Sequence, residues 1–137
     1  MQSLKVAAKN LLRWNLKGQA TGAKPKRGTY LFQKKEGQTC YACKIGLVML
    51  GRWGRRAMEF DDQEGFSEKS LLVHQIQKYG PEVDCPDGSA WTCRSMSLGG
   101  MIEHLFESHL WSVTRIDKWL AKLAETKLEA AREEAGL

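Results

Sequence analysis

Between residues 85 and 109 the chain reads CPDGSAWTCRSMSLGGMIEHLFESH, which places Cys85 and Cys93 ahead of His104 and His109. No other feature restricts the fold as much: if these four side chains hold one ion, the segments carrying them must converge, whatever the rest of the chain does. Zinc takes four nitrogen or sulfur donors in a tetrahedron, and two cysteines on a turn followed by two histidines on a helix supply them. Seven residues separate the cysteines, ten separate Cys93 from His104, and four separate the histidines. The last two intervals are near the usual range, whereas a tight knuckle has about two to four residues between its cysteines. Pro86 and the Asp87-Gly88 pair are turn formers, so a longer looped knuckle can still return the second sulfur to the first. Residues five apart on an ideal helix point roughly 140° away from each other. His104 and His109 can therefore share an ion only if the helix ends near Ser108, and a new cap at Ser112 fits such a break. The ordinary alternative is packing, since free cysteines serve as small buried hydrophobes and a histidine beside Leu105 and Phe106 can be a satisfied core residue.

The rest of the chain reads as one mainly helical α+β domain with about five helices and a small N-terminal β-hairpin. Residues 3–16 carry Leu4, Ala7, Ala8, Leu11, Leu12 and either Trp14 or Asn15 at helical spacing. A Gly/Lys-rich loop spans 17–28, TYLFQKK at 29–35 has strand character, and EGQ turns the chain. Thr39 can cap a helix through CYACKIGLVML, apolar on nearly all sides and so expected at the centre, ending near Gly51. GRWGRR is a basic, Gly-broken loop, and AMEF is at best a short strand. Ser67 starts a helix with Leu72, Val73, Ile76 and Tyr79 on one face, stopped by Gly80 and Pro81. Ser97 begins another, and Ser112 caps a last one built on Ile116, Trp119, Leu120 and Leu123. The expected organisation is a globular domain over 1–124, with a zinc-binding unit over 84–120, and a solvated helical tail over 125–137.

Charge is unevenly spread. Residues 1–58 hold thirteen Lys/Arg and one acid, Glu36, while residues 59–137 hold eight Lys/Arg and fifteen acids. The basic half is a candidate footprint for nucleic acid or another polyanion, or else the acidic half, or a partner copy, folds against it. Lys24, Lys26, Arg27, Arg52, Arg55 and Arg56 are the phosphate-contact candidates. Trp53, set among three of those arginines in a glycine-flexible loop, is a candidate for base stacking or, as commonly, a loop anchor. No apolar run approaches the ~20 residues that span a bilayer. The N-terminus is basic, amphipathic and free of acids, as in organellar transit peptides, but its apolar stripe suits a core helix better. With no export signal, a cytoplasmic, reducing compartment is expected, where cysteines are thiols or metal ligands more often than disulfides.

The stretch EHLFESHLWSVTRIDKWL, residues 103–120, resembles the C-terminal signature of a family of small uncharacterised bacterial and phage proteins: His-Leu, three residues, His, one residue, Trp, four residues, Ile, two residues, Trp. It falls on His104, Leu105, His109, Trp111, Ile116 and Trp119. Members often carry a short Cys-Pro-x-Cys knuckle before the signature, matched here at Cys85-Pro86 but with the second cysteine displaced to Cys93. An upstream Cys-Ala-Leu-Gly-Ala-Ala helix is similar to CKIGLVMLG at Cys43. The resemblance covers about half the chain and implies a small zinc-ribbon-like or finger-like C-terminal unit, with no activity attached.

Cys40 and Cys43 form a CxxC where strand gives way to helix, a position that favours a low-pKa thiolate and hence thiol-redox chemistry. The strand–helix alternation of a thioredoxin-like fold is missing from the helical C-terminal side, and buried packing is the simpler fate of both. A four-cysteine site of Cys40, Cys43, Cys85 and Cys93 ranks second to the Cys85, Cys93, His104, His109 set. No Ser/His/Asp order, phosphate-binding loop or HExxH motif stands out, and a closed four-ligand zinc site is structural. The sequence therefore points to a non-enzymatic zinc-binding accessory protein that meets nucleic acid through its basic half. The alternative is a protein-binding modulator or inhibitor, for example a phage product acting on a host complex.

Overall fold

A computed structural model describes residues 2–28, 31–32, 41–54, 68–87 and 93–137. Among them are six helices, one more than periodicity predicts, and two small sheets. The first helix, α1 (Leu4–Ala20), starts where the Ser3 hydroxyl accepts from the Val6 amide at 3.2 Å. It runs a turn further than expected, into the segment read as loop. Gly18 is the reason: a Cβ there would collide with the Leu47 carbonyl of the facing helix, so the chain stays helical and presses its backbone against its neighbour. The stripe on α1 settles on Asn15 rather than Trp14, with Ala7, Ala8, Leu11, Leu12, Asn15 and Leu16 buried and Trp14 half-buried.

Three two-residue strands follow: β1 (Lys24–Pro25), β2 (Leu31–Phe32) and β3 (Tyr41–Ala42). β3 lies between the others, antiparallel to β2 and parallel to β1. The antiparallel β2–β3 pair is the hairpin predicted, with one extra strand. The central helix does not take in Tyr41 and Ala42, which are strand. It is α2 (Lys44–Trp53), with Cys43 at its N-cap; Thr39, the expected cap, lies outside the described residues. Nor does α2 stop at Gly51. That glycine sits inside the helix because any Cβ would strike the Trp14 carbonyl, and the end comes at Gly54, whose φ is 65°. The Gly18–Leu47 and Gly51–Trp14 approaches lock α1 and α2 antiparallel at close range. Every residue of α2 from Lys44 to Leu50 is buried.

The remaining elements wrap this pair. α3 (Glu68–Gln77) buries Val73 and Ile76 and is followed by Gly80 at φ 84°. β4 (Glu82–Val83) pairs antiparallel with β5 (Met96–Ser97), and α4 (Leu98–Glu107) starts directly from β5. Ser97 stands at the N-cap of α4 as expected, though its side chain makes no capping hydrogen bond. α5 (Val113–Leu123) is capped by Ser112, whose hydroxyl accepts from the Arg115 amide at 3.1 Å. Leu98, Met101, Ile102 and Leu105 from α4, with Ile116 and Leu120 from α5, complete one core with α1 and α2. Each such side chain, fully removed from water, contributes about 1.5–3 kcal/mol before the cost of ordering it. Beyond residue 125 the chain forms α6 (Leu128–Glu134), which lays Leu128 and Ala131 on the core and turns Glu129, Glu133 and Glu134 to solvent. No described helix is long and apolar enough to cross a membrane.

Candidate metal centre

The antiparallel β4–β5 pair explains how two cysteines so far apart in sequence meet. Its register sets Glu82 opposite Ser97 and Val83 opposite Met96, so the chain leaving β4 and the chain entering β5 run side by side. Cys85 lies just beyond one strand and Cys93 just before the other. Beyond the ladder, the Ser95 hydroxyl donates to the Asp84 carboxylate at 2.5 Å. On the histidine side, α4 ends at Glu107, and Leu110 takes a φ of 57°. The helix thus ends between the two histidines, with Ser108 as its C-cap, which is the break that the histidine spacing requires.

The result is a four-donor cluster. The Sγ atoms of Cys85 and Cys93 and a ring nitrogen each from His104 and His109 all lie within 4.8 Å of one another. Cys93 Sγ is 3.5 Å from His104 Nε2 and 3.2 Å from His109 Nε2; Cys85 Sγ is 3.5 Å from His109 Nε2; the two Nε2 atoms are 3.0 Å apart. All four side chains are half-buried. The cluster is a candidate metal site of the Cys₂His₂ type and is compatible with zinc. Cys93, the residue that departs from the tight-knuckle spacing, is inside it.

Asp87 sits behind the cluster. Its Oδ2 accepts from Trp111 Nε1 at 3.1 Å and lies 3.3 Å from His109 Nδ1. With Nδ1 turned to a carboxylate, Nε2 is the nitrogen left to face the sulfurs, the arrangement by which outer carboxylates orient metal-binding imidazoles. Burial pushes the His104 imidazole below its ordinary pKa, and the neighbouring His109 adds to this, so both effects favour the neutral form that a ligand takes. Burial, together with Cys93, pushes the Cys85 thiol up. A cation would reverse that preference, since coordination stabilises the thiolate.

Cys43 is elsewhere. It is buried in the main core and is not part of the cluster; Cys40 lies outside the described residues. Backbone amides of Ile45 and Gly46 at the start of α2 do favour its thiolate, but burial outweighs them and the thiol is pushed up to about 12. The helix-start argument for a reactive Cys43 therefore has the right local effect and the wrong net sign.

A second polar cluster was not anticipated. Lys44 and Asp117 form a fully buried ion pair between α2 and α5. Asn15 Nδ2 also donates to Asp117, as does Gln19 Nε2 at 2.8 Å, and Lys44 Nζ reaches the Val113 carbonyl at 3.4 Å. Burial pulls the Lys44 pKa down and Asp117 restrains the fall. The signal was present: Asn15 and Asp117 occupy the apolar stripes of α1 and α5, where a polar residue needs a buried partner.

The predicted phosphate contacts divide. Lys24, Lys26 and Arg52 are exposed, with Lys26 Nζ 5.5 Å from the Tyr41 ring centre. Arg27 is exposed too but is tied to the protein: its Nε donates to the Phe106 carbonyl at 2.9 Å and its guanidinium lies 4.6 Å from the Phe106 ring centre, fastening the loop to the end of α4. The next residue, Gly28, donates its amide to the Glu107 carboxylate at 3.0 Å. Trp53 is half-buried at the end of α2, and Arg55 and Arg56 lie outside the described residues. The basic half is thus neutralised in part by the acidic half, through Lys44–Asp117 and an exposed Lys5–Glu125 pair at 2.9 Å.

Comparison with known proteins finds no matching family model, no matching curated protein and no matching solved structure.

Proposed function

We propose that this chain is a non-enzymatic, zinc-binding accessory protein whose basic N-terminal part meets nucleic acid. The observation carrying the first half is the convergence of two thiols and two imidazoles within 4.8 Å. Two sulfur and two nitrogen donors around one point are the donor set of zinc rather than of magnesium or calcium. The spacing fits as well. A tetrahedron with zinc's bond lengths has edges of about 3.6 Å between sulfur and nitrogen and about 3.3 Å between nitrogens, against 3.2–3.5 Å and 3.0 Å here. Cys85, Cys93, His104 and His109 fill all four positions, which makes the ion structural: it ties the β4–β5 loop to the end of α4. A closed site and a buried, protonated Cys43 both support a protein without catalytic chemistry.

The nucleic-acid half rests on charge: exposed Lys24, Lys26 and Arg52 lie on the N-terminal elements, and Arg55 and Arg56 follow in sequence. The resemblance to small bacterial and phage proteins belongs to the same proposal and adds no activity to it. Native mass spectrometry with elemental analysis is the test of the zinc site. One zinc per chain, lost in Cys93→Ser and in His109→Ala, is the expected result, and a metal-free wild type overturns the assignment. A mobility-shift assay at low salt tests the second half, and no shift removes it. A nuclease-insensitive protein complex in its place would favour the modulator reading.

A further inference from the structure

The charged groups described so far are paired with acids or spread over the surface; one is not. At the junction of α1, the end of α2 and the residue pair following α3, the Arg52 guanidinium lies 4.5 Å from the Trp14 ring centre, 4.7 Å from Trp53 and 5.8 Å from Tyr79. Trp14 and Tyr79 meet edge to face at 5.1 Å. Tyr79 is held from behind, its hydroxyl accepting from Asn10 Nδ2 at 2.9 Å, and Asn10 Oδ1 in turn accepts from exposed Arg13 at 2.9 Å. All three rings are half-buried, and Arg52 is exposed with no carboxylate partner among the described residues.

We infer that Trp14, Trp53 and Tyr79, with Arg52 laid across them, form a stacking platform for an unpaired base of single-stranded nucleic acid; this rests on the nucleic-acid reading above. Three features favour that ligand. Aromatic faces with a planar guanidinium among them are what splayed-out bases stack on, and each base offers such a face whatever its sequence. A duplex hides those faces, so the platform rewards a strand whose bases are free. The cations beside the rings, Arg52 and Arg13, have no acid partner among the described residues and complement a phosphate backbone rather than an apolar protein surface. The rings pack against the edge of the core on one side, and on the other a guanidinium is what covers them. Arg52 can leave the ring face for a phosphate while a base takes its place.

Fluorescence anisotropy decides this, using the full-length protein with a labelled oligothymidylate of ~16 nucleotides and a duplex of the same length, at low salt. The expected result is tighter binding of the single strand, with quenching of tryptophan emission on binding. Trp53→Ala should weaken it roughly 5- to 150-fold, the range for loss of one stacked base, and Trp53→Phe should recover most of the loss. Arg52→Ala should lower the slope of log affinity against log salt by about 0.7. Metal content and far-ultraviolet circular dichroism show that each variant is folded; if Trp53→Ala is not, Trp53→Phe and the wild-type quenching still decide. Equal binding of strand and duplex, with no quenching and no effect of these variants, overturns the platform and leaves nucleic-acid binding standing. No binding of either oligonucleotide removes both, and capture of a nuclease-insensitive protein that depends on Trp53 assigns the patch to that protein instead.

Discussion

Two polar clusters of similar size lie in this molecule, and they are built to opposite ends. Around Asp117 every charge is answered from within: Lys44 supplies the cation and Asn15 a further donor, all three buried, and half-buried Gln19 supplies another. Around Cys85, Cys93, His104 and His109 no described residue supplies a cation. Four groups able to give an electron pair point at one another, half-exposed, with Asp87 behind them to hold a ring in place. A buried charged group is costly unless it is paired, so the first cluster is a finished structural joint. The second has the donors to hold a positive ion. What separates a site from a joint is not polarity but whether the group's partners are already in the fold.

That contrast can be broken from either side. The largest effect is expected from Cys93→Ser or His109→Ala. Structural zinc in small fingers contributes about 10–16 kcal/mol of apparent binding free energy near pH 7, and most of it should vanish together with the bound metal. Helix signal from the α1–α2 pair should survive, because neither helix carries a ligand; hydrogen exchange should show opening greatest around Cys85, Cys93 and the end of α4. If the whole chain unfolds cooperatively instead, the two regions are not separable.

Lys44→Met attacks the other cluster. Removing one partner leaves Asp117 buried with an uncompensated charge, which should cost about 3–5 kcal/mol, read as a shift of the urea midpoint. Metal content should be unchanged, and that combination distinguishes the joint from the site. Asp87→Asn sharpens the comparison within the second cluster. Loss of the outer carboxylate should weaken metal affinity roughly 10- to 100-fold and shift the absorption of the cobalt-substituted protein, with the fold intact. The smallest effect is expected from Ser112→Ala, which removes the cap of α5 on the helix that carries Asp117. It should lower stability by about 1 kcal/mol in chemical denaturation and leave metal binding untouched.

Much of this architecture was legible because the signals are local. Gly80 before Pro81, Ser112 ahead of an apolar stripe, and the unbroken apolar run of α2 each report on residues within a turn or two. The same holds for the histidines: their spacing required a helix end near Ser108, and α4 ends at Glu107. Cys93 was harder to place. The knuckle interval describes a tight turn, whereas here the two sulfurs are brought together by strand pairing on either side of a loop, and spacing does not report which strands pair. Gly18 and Gly51 misled the helix boundaries for a related reason. Read locally they are helix breakers, but the facing backbone leaves no room for a side chain and makes them the residues that fit.

By itself, then, the sequence determined the helical class of the fold, the starts at Ser97 and Ser112 and the stop at Gly80, and it singled out the four residues that the fold brings together. These follow from chemistry and hydrogen bonding over three or four positions. The tertiary structure decided which charges remain outside. Lys44, Arg27 and Arg52 all belong to the basic half by count, yet Lys44 is sealed against Asp117, Arg27 is exposed but tied to the end of α4, and Arg52 is left in solvent over three rings. Those outcomes depend on partners about 70 or more positions away for the first two and on three separate segments for the third. A shift of one residue in helical phase, about 100°, would send any of them to a different surface.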